Sequence, residues 1–281
     1  MLSNLNGEHF ILQNGVIMNI LYEDRDIIVC VKEPGVPSQS DKSRDMDMVN
    51  MLRNYIASEG LGGIKVGGMP YIGLVHRLDR PVGGVMVFAK NPSALENLNK
   101  QVSNREIKKS YLALSLIKDK QLVENIKNNK NDVRYASELD DLSLSYWIPL
   151  TDYLKKEARS NTSKVVSPND KLGKKAELEY RLVGIDTKDI FSEKIYRCIF
   201  EISLKTGRHH QIRVQMANAG MPLAGDVKYN HSNINDGNMY NTVALYSYRL
   251  QFKHPRTGKD VVFFSYPKDN WFEEICKSPK C

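Results

Sequence analysis

Hydrophobic positions follow two patterns along this chain, and together they predict strands and helices in irregular order. Ile27–Val31 and Val85–Ala89 are continuous apolar runs, and runs this short beside turn residues are typical of buried strands. Met48, Leu52 and Ile56 recur at helical spacing, which predicts an amphipathic helix. The same patterns predict strands over 108–116, 176–183, 195–205, 243–252 and 260–265, and helices that begin at Asn91 and cover 209–219.

The order of these elements predicts the fold class. Strands and helices do not alternate regularly, so a doubly wound parallel sheet is not expected. No internal repeat and no clear linker divide the sequence. We therefore expect a single domain over 1–281, of the mixed α/β (α+β) class, built on a large, mainly antiparallel sheet. Residues 155–175 carry seven basic and two acidic side chains, and they are expected to form a basic loop.

Composition excludes several classes of protein. With 281 residues, of which 41% are hydrophobic and 26% charged, the chain can form an ordinary packed core. No apolar stretch reaches the roughly 18 residues that a membrane-spanning helix needs, and the N-terminus lacks the pattern of a secretory signal. Cys30 and Cys198 lie in strand patterns without zinc-ligand spacing. We expect a cytoplasmic protein without a membrane anchor, a disulfide framework or a metal site.

Charged side chains are concentrated just before the strand at Val85–Ala89. His76, Arg77, Asp79 and Arg80 fall within five positions. One interpretation is a solvated turn in which Asp79 is an ordinary surface ion-pair partner. The other is a carboxylate at a strand end, which neighbouring arginines keep ionised and able to act as a nucleophile or a base. The spacing alone leaves both interpretations open.

A second basic group surrounds the start of the last predicted helix. Arg208, His209, His210 and Arg213 gather there, and a basic helix N-terminus attracts phosphate or carboxylate groups. The two histidines are expected to point in different directions and to form no metal pair. Arg213 lies between apolar neighbours, so we expect a half-buried guanidinium with a carboxylate partner, for which Asp79 is a candidate. The net charge of +7 suits a polyanionic partner.

Four segments resemble, in this order, the motifs of the RluA-type pseudouridine synthases. The first is Asn19–Gly35, which ends in Val-Lys-Glu-Pro-Gly. It is followed by His-Arg-Leu-Asp-Arg, Lys-Lys-Ser-Tyr-Leu-Ala-Leu and Thr-Gly-Arg-His-His-Gln-Ile-Arg-Val, and His-Pro-Arg-Thr-Gly at 254–258 is similar to the closing motif of the family. The resemblance extends from about residue 19 to about residue 268. Any one motif is a weak signal, but four in order make a chance match very improbable.

The resemblance implies a bilobed catalytic domain with a basic cleft across its sheet. It implies isomerisation of uridine to pseudouridine in structured RNA, ribosomal or transfer, without a metal or an organic cofactor. Asp79 matches the catalytic aspartate of the family, Tyr111 the tyrosine under the target base, and Arg213 the basic partner of the aspartate. Arg77 matches the arginine that fills the gap left by the extruded base. The side chains expected to contact RNA are His76, Arg77, Arg80, Arg208, His210 and Gln211.

Departures from the family pattern concern recognition of the RNA. Gln215 stands where many relatives have histidine, and Pro81-Val-Gly83-Gly84 replaces a Thr-Ser-Gly-like turn. Residues 1–18 form only a short extension, so no separate N-terminal RNA-binding domain is expected, and the basic loop at 155–175 is a candidate for that function. A monomer is the default expectation.

Two other functions compete with this interpretation. A non-catalytic RNA-binding or ribosome-assembly factor could have the same fold, but it has no need of a buried ionised aspartate. A base-excising glycosidase normally uses paired carboxylates, and only Asp79 lies in the central motif. Such a glycosidase releases free uracil, whereas an isomerase releases none.

Overall fold

The structure, a computed structural model, describes residues 8–11, 17–40, 45–58, 65–66, 68–127, 146–190, 193–230, 242–268 and 271–272. The chain divides into two compact units. The first unit comprises Met1–Lys109 with Ser247–Tyr266, and the second comprises Ser110–Tyr246 with Pro267–Cys281. Within the described residues, no helix has the length and apolar character required to cross a membrane.

Four helices and fourteen strands are formed by the described residues. The helices are α1 (Met48–Ser58), α2 (Pro92–Ser103), α3 (Lys120–Lys127) and α4 (Gln211–Asn218). The strands are β1 (Glu8–Ile11), β2 (Ile17–Glu23), β3 (Ile27–Lys32), β4 (Lys65–Val66), β5 (Met69–Pro70), β6 (Gly73–Leu74), β7 (Gly83–Ala89), β8 (Lys108–Ile117), β9 (Ile148–Glu157), β10 (Thr162–Val166), β11 (Lys174–Ile190), β12 (Glu193–Leu204), β13 (Leu245–Lys253) and β14 (Asp260–Phe264).

The first unit is built on a sheet with the strand order β1-β2-β3-β7-β13, in which β14 pairs with β13 and β6 with β7. The pairs β1–β2, β2–β3, β3–β7, β6–β7 and β13–β14 are antiparallel. Buried side chains of β3 and β7 pack against Leu98 of α2 to form a core. Gly84 has φ +127°, and a Cβ there would lie 2.3 Å from the Ser247 carbonyl oxygen. Only glycine allows this close approach of two strands.

The second unit contains the strand order β8-β12-β11-β9-β10, and all four of these pairings are antiparallel. Helix α4 places Val214 in a small core with Leu154 of β9 and Ala176 of β11. Strand β8 is buried from Ser110 to its end, as expected for a strand in the interior of a sheet. The predicted mixed α/β class with a mainly antiparallel sheet is confirmed.

The expected loop over 155–175 is wrong for about half of that stretch. Residues up to Glu157 continue β9, Thr162–Val166 form β10, and β11 begins at Lys174. Strand β10 pairs with β9 in register from Thr162 opposite Glu157 to Val166 opposite Tyr153. Four of the seven basic side chains therefore belong to the β9–β10 hairpin, namely Lys155, Lys156, Arg159 and Lys164. Lys171 lies in the turn that follows, and Lys174 and Lys175 begin β11. After β8, Lys120–Lys127 form α3, and residues 128–145 lie outside the described residues.

Candidate active site

Asp79 lies in a turn of the first unit that another segment of the chain anchors on both sides. The Ser38 hydroxyl donates to the Leu78 carbonyl at 2.9 Å and accepts from the Leu78 amide at 3.1 Å. After Asp79, the Gly35 amide donates to the Arg80 carbonyl at 2.8 Å. Asp79 is therefore held, half-buried, between two neighbours whose backbones are bonded to residues 35–38. The interpretation of this segment as a merely solvated turn loses support.

A buried lysine completes the anchoring of this turn. Lys32, at the end of β3, is 0% exposed, and its Nζ donates to the carbonyl oxygens of Glu33 at 3.1 Å, Val36 at 2.6 Å and Arg80 at 3.0 Å. Burial lowers the pKa of Lys32 to about 7, while the charge of Asp79 favours the protonated ammonium. The attraction is mutual, so the Lys32 ammonium in turn favours an ionised Asp79.

The lowered pKa of Lys32 predicts a pH dependence of stability. Between about pH 7 and the ordinary lysine value of 10.5, the unfolded chain binds the proton of Lys32 more strongly than the folded chain does. The free energy of unfolding is therefore expected to rise with pH from 7 to 9, by at most about 1.4 kcal/mol per pH unit from this group. Denaturant unfolding at several pH values should show that Lys32→Met removes this rise. The exposed Lys100 provides the control, since Lys100→Met should keep the wild-type slope; an unchanged slope in Lys32→Met contradicts the prediction.

The two arginines that flank Asp79 are at the surface. Arg77 is exposed. Arg80 is partly exposed, its Nε donates to the Gly35 carbonyl at 3.0 Å, and its guanidinium forms an ion pair with Asp45. Both side chains therefore offer N–H groups at the surface, as a contact with RNA phosphates requires. Their contact with RNA remains a prediction.

His76 is in a different environment from these arginines. It is buried, and its Nε2 accepts a hydrogen bond from the Val87 amide at 3.3 Å. Burial lowers the pKa of His76 to about 3, and the charge of Lys109 acts in the same direction. The imidazole is therefore neutral at pH 7 and tied to β7, with little surface for the predicted contact with RNA.

Tyr111 belongs to the second unit, in strand β8. It stands opposite Ile202 of β12 in an antiparallel register, and it is 5% exposed. The chain that follows α4 adds a further connection along β8, because the Ala224 amide donates to the Leu114 carbonyl at 2.9 Å. The backbone of Tyr111 is thus fixed by the sheet, while its predicted position under the target base remains a prediction.

Arg213, on α4 of the second unit, is held by a carboxylate that the sequence analysis did not identify. Its Nε donates to Oδ2 of Asp226 at 2.7 Å, and its Nη2 donates to Oδ1 at 2.6 Å. The two side chains are 3% and 0% exposed. The guanidinium carbon also lies 5.2 Å from the centroid of the Tyr229 ring, within the range of a cation–π contact. The expected carboxylate partner of Arg213 is found in Asp226, and a pairing with Asp79 remains a prediction.

The two histidines before α4 stack on each other. Their ring centroids are 3.8 Å apart, with an angle of 23° between the planes. The prediction that they point in different directions is wrong because it assumed that both are helical. His210 instead has a left-handed backbone, with φ +53°, and α4 begins only after it. His209 Nδ1 lies 3.0 Å from the Ser163 hydroxyl, while His210 is buried.

Gln211 stabilises the turn that leads into α4. Its Oε1 accepts from the Arg208 amide at 2.9 Å and from the Thr206 hydroxyl at 2.8 Å, and its Nε2 donates to the Glu177 carbonyl at 3.1 Å. Arg208 itself is exposed, with its Nε bonded to the Lys175 carbonyl. Arg208 thus presents its side chain at the surface, whereas the polar atoms of Gln211 are engaged within the chain. Their contact with RNA remains a prediction, as does that of His210.

One group of described side chains has the spacing of metal ligands. Ligand atoms of Asp24, Asp26 and His254 lie within 4.8 Å of one another. However, Asp26 forms an ion pair with Arg256 and accepts from Asn91 at 2.9 Å, and His254 Nε2 lies 2.9 Å from Asp24. These bonds attach the His-Pro-Arg-Thr-Gly segment to the turn before β3. We assign the group to that structural contact.

Sequence reasoning missed Asp226 and Lys32. Asp226 follows Arg213 by 13 positions and lies outside regular structure, so no periodicity connects the two residues. The sequence did contain a signal for Lys32, because this residue directly follows the apolar run of β3. A lysine buried at that point needs a specific set of partners, since lysine is almost never fully buried without them.

Comparisons with known proteins identify the family. The family model described as RNA pseudouridylate synthase matches residues 26–218, a segment that includes Asp79, Tyr111 and Arg213. The chain is 26% identical over 265 residues to ribosomal large subunit pseudouridine synthase C of Buchnera aphidicola, with 93% of this chain and 70% of the relative covered. It is also 26% identical over 263 residues to tRNA pseudouridine synthase C of Haemophilus ducreyi, with 90% and 93% covered.

A solved structure shares the fold. The human RNA pseudouridylate synthase domain containing 4 matches with a TM-score of 0.61 and 17% identity, over 89% of this chain and 88% of that chain. The likeness supports the same arrangement of strands and helices, and the match of the family model extends over more than half of the chain. This chain belongs to the RNA pseudouridylate synthase family.

Proposed function

We propose that this chain isomerises uridine to pseudouridine in structured RNA and that Asp79 is its catalytic carboxylate. The observation that carries the assignment of Asp79 is its turn, in which both neighbouring residues are anchored and a buried ammonium favours the ionised form. A nucleophile or a base needs such a fixed and charged carboxylate. Membership of the family supplies the reaction.

The reaction requires the enzyme to hold a base outside the stack. The bond between ribose C1′ and uracil N1 breaks, a bond between C1′ and C5 forms, the C5 proton is lost and N1 gains a proton. Extruding the uridine costs a few kcal/mol, and stacking on an aromatic ring returns roughly 1–3 kcal/mol. Tyr111 is proposed to supply that ring. Asp79 attacks the sugar or the base, or removes a sugar proton, and each route needs its ionised form.

Arg213 is proposed to act on Asp79 in two ways, by donating a hydrogen bond in a fixed direction and through its positive charge. Its Nε and Nη2 each donate to Asp226, so a hydrogen bond to Asp79 has to use the N–H groups that point away from that pair. Because Asp226 balances the charge of the guanidinium, the remaining attraction for a second carboxylate is weaker than that of an isolated arginine. A correctly aimed N–H group is then the main contribution of Arg213 to the reaction.

The RNA substrate is proposed to be ribosomal or transfer RNA. Relatives bear names for both activities, ribosomal large subunit pseudouridine synthase and tRNA pseudouridine synthase. A monomer in the cytoplasm is proposed. The described cysteines, Cys30 and Cys198, are buried and free, which suits the reducing environment of that compartment. Single-nucleotide mapping of pseudouridines in total RNA, from cells with and without the protein, tests the proposal. We expect at least one uridine to lose its modification, and identical maps contradict the proposal.

The basic segment 155–175, which runs from the end of β9 through β10 to the start of β11, is proposed to bind RNA phosphates. Neutralising three exposed lysines with glutamine should weaken binding and flatten the plot of log affinity against log salt by up to about three units; these lysines are Lys171, Lys174 and Lys175. The matched control neutralises three other exposed lysines of the second unit, Lys118, Lys188 and Lys194. Equal salt slopes for the two triple variants in a binding titration contradict a specific contribution of the segment 155–175.

A further inference from the structure

Arg213 lies between two side chains that restrict it in different ways. Asp226 binds the Nε and Nη2 edge of the guanidinium with two hydrogen bonds of 2.7 and 2.6 Å, while the ring of Tyr229 lies 5.2 Å from the guanidinium carbon. A carboxylate that binds one edge fixes the plane and the direction of the group. Without such a partner, a long side chain samples several rotamers, and its N–H groups do not keep one direction.

The hydroxyl of Tyr229 is itself fixed by two partners. The Ser163 amide donates to this oxygen at 2.7 Å, and His210 Nδ1 lies 2.8 Å from it. Burial lowers the pKa of His210 to about 2, with the charge of Arg213 acting in the same direction, so the imidazole is neutral. The consistent arrangement is a Tyr229 hydroxyl that donates to an unprotonated Nδ1 while it accepts from the amide.

The same contacts connect Arg213 to the hairpin. Ser163 belongs to β10, and its hydroxyl also donates to the His209 carbonyl at 2.9 Å. Tyr229 therefore touches Arg213 with its ring and β10 with its hydroxyl. Any displacement of the hairpin changes the support beneath the guanidinium.

We propose that Asp226 and Tyr229 are positioning residues that aim Arg213, and that the Tyr229 hydroxyl couples this aim to the β9–β10 hairpin. The inference rests on the proposed function, because it gives Arg213 an orientation that matters only if Arg213 serves the reaction. It adds two residues, neither of which has to touch the RNA. Asp226 lies outside the segment matched by the family model, which ends at residue 218.

Three substitutions separate the components of this arrangement. Asp226→Asn removes the charge and one acceptor but keeps the shape of the side chain. Tyr229→Phe keeps the ring beside Arg213 and removes the hydroxyl that binds Ser163 and His210. The control is Asp186→Asn, because Asp186 also binds a buried arginine of the second unit through Nε and Nη2, namely Arg197.

The test combines single-turnover pseudouridine formation, RNA affinity and the NMR signal of the Arg213 Nε–H group, all measured below the lowest melting temperature of the set. We expect Asp226→Asn to lower the single-turnover rate at least tenfold and Tyr229→Phe at least threefold, with RNA affinity within twofold of wild type. The Nε–H signal, assigned through Arg213→Lys, should be protected from exchange in wild type and Asp186→Asn and lose protection in Asp226→Asn.

Specific outcomes overturn the inference. They are a wild-type rate in Asp226→Asn, a rate loss no larger than that of Asp186→Asn, or an unchanged Nε–H signal in Asp226→Asn. A wild-type rate in Tyr229→Phe overturns the coupling to the hairpin. Failure of the proposed function looks different, because wild-type protein would then form no pseudouridine while the Nε–H signals still report whether Asp226 holds Arg213.

Discussion

Asp79→Asn is expected to abolish pseudouridine formation, with a rate loss of about a thousandfold or more. Asparagine keeps the size of the side chain and loses the charge, so it can neither attack the ribose or the base nor remove a proton. The fold should persist, because the turn is held by Ser38, Gly35 and Lys32 through backbone atoms of the neighbouring residues. RNA affinity should change little, since a carboxylate does not attract phosphates.

The measurement is the single-turnover rate on an RNA that the wild-type protein modifies, together with RNA affinity and melting temperature. Asp45→Asn is the matched control, because Asp45 is an exposed carboxylate in the same unit that pairs with Arg80, and it should retain activity. Substantial turnover by Asp79→Asn removes Asp79 from the catalytic role. If Asp79→Asn restores the function of the protein in cells, the chain acts as a non-catalytic RNA-binding factor.

Arg213→Met is expected to destabilise the protein and to abolish activity near neutral pH. Methionine can pack among apolar neighbours, but it leaves the Asp226 carboxylate buried without its cation. Removing one partner of a buried ion pair typically costs about 3–5 kcal/mol. In the proposed site Arg213 also aims a donor at Asp79, so its loss should leave that carboxylate less readily ionised and less well held.

A second substitution separates these two effects. In Arg213→Met/Asp226→Leu neither buried charge of this pair remains, so denaturant unfolding should show most of the lost stability restored. Activity should stay low at neutral pH and recover in part at higher pH, where the Asp79 carboxylate ionises without help. A double variant with the wild-type rate at pH 6 shows that Arg213 does not support the carboxylate. A double variant that is equally inactive at every pH shows that Arg213 does not act by favouring the ionised form of Asp79. A role of Arg213 in positioning that carboxylate then remains.

Much of the fold could be predicted, because its buried strands coincide with continuous apolar runs in the sequence. Ile27–Lys32 and Gly83–Ala89 are buried at every position, so local hydrophobicity was sufficient. The β9–β10 hairpin was missed because lysines along a strand with exposed positions look like the charges of a loop. Its two strands also contact α4, which is distant in the sequence.

Residues of the candidate site could be predicted where a sequence motif contains them, but not where only the fold brings them together. Asp79, Tyr111 and Arg213 are predicted from ordered motifs, and their roles remain proposals. Asp226 was not predicted, because it meets Arg213 only after the chain has left α4 and followed β8. The stacking of the two histidines was missed because the left-handed backbone of His210 is unusual for a residue other than glycine.

The fate of the hydrogen on C5 of uridine distinguishes an isomerase from a glycosidase and from a binding factor. Total RNA from cells that lack the protein, labelled with tritium at C5, is incubated with the purified chain. Because the new bond forms at C5, pseudouridine formation must release tritium to water, and no labelled uracil should appear. We expect tritium in water with wild-type protein and none with Asp79→Asn. Tritium that leaves the RNA as free uracil indicates a glycosidase, and RNA that binds but retains all its tritium indicates a binding factor; either result contradicts isomerisation of uridine by this chain.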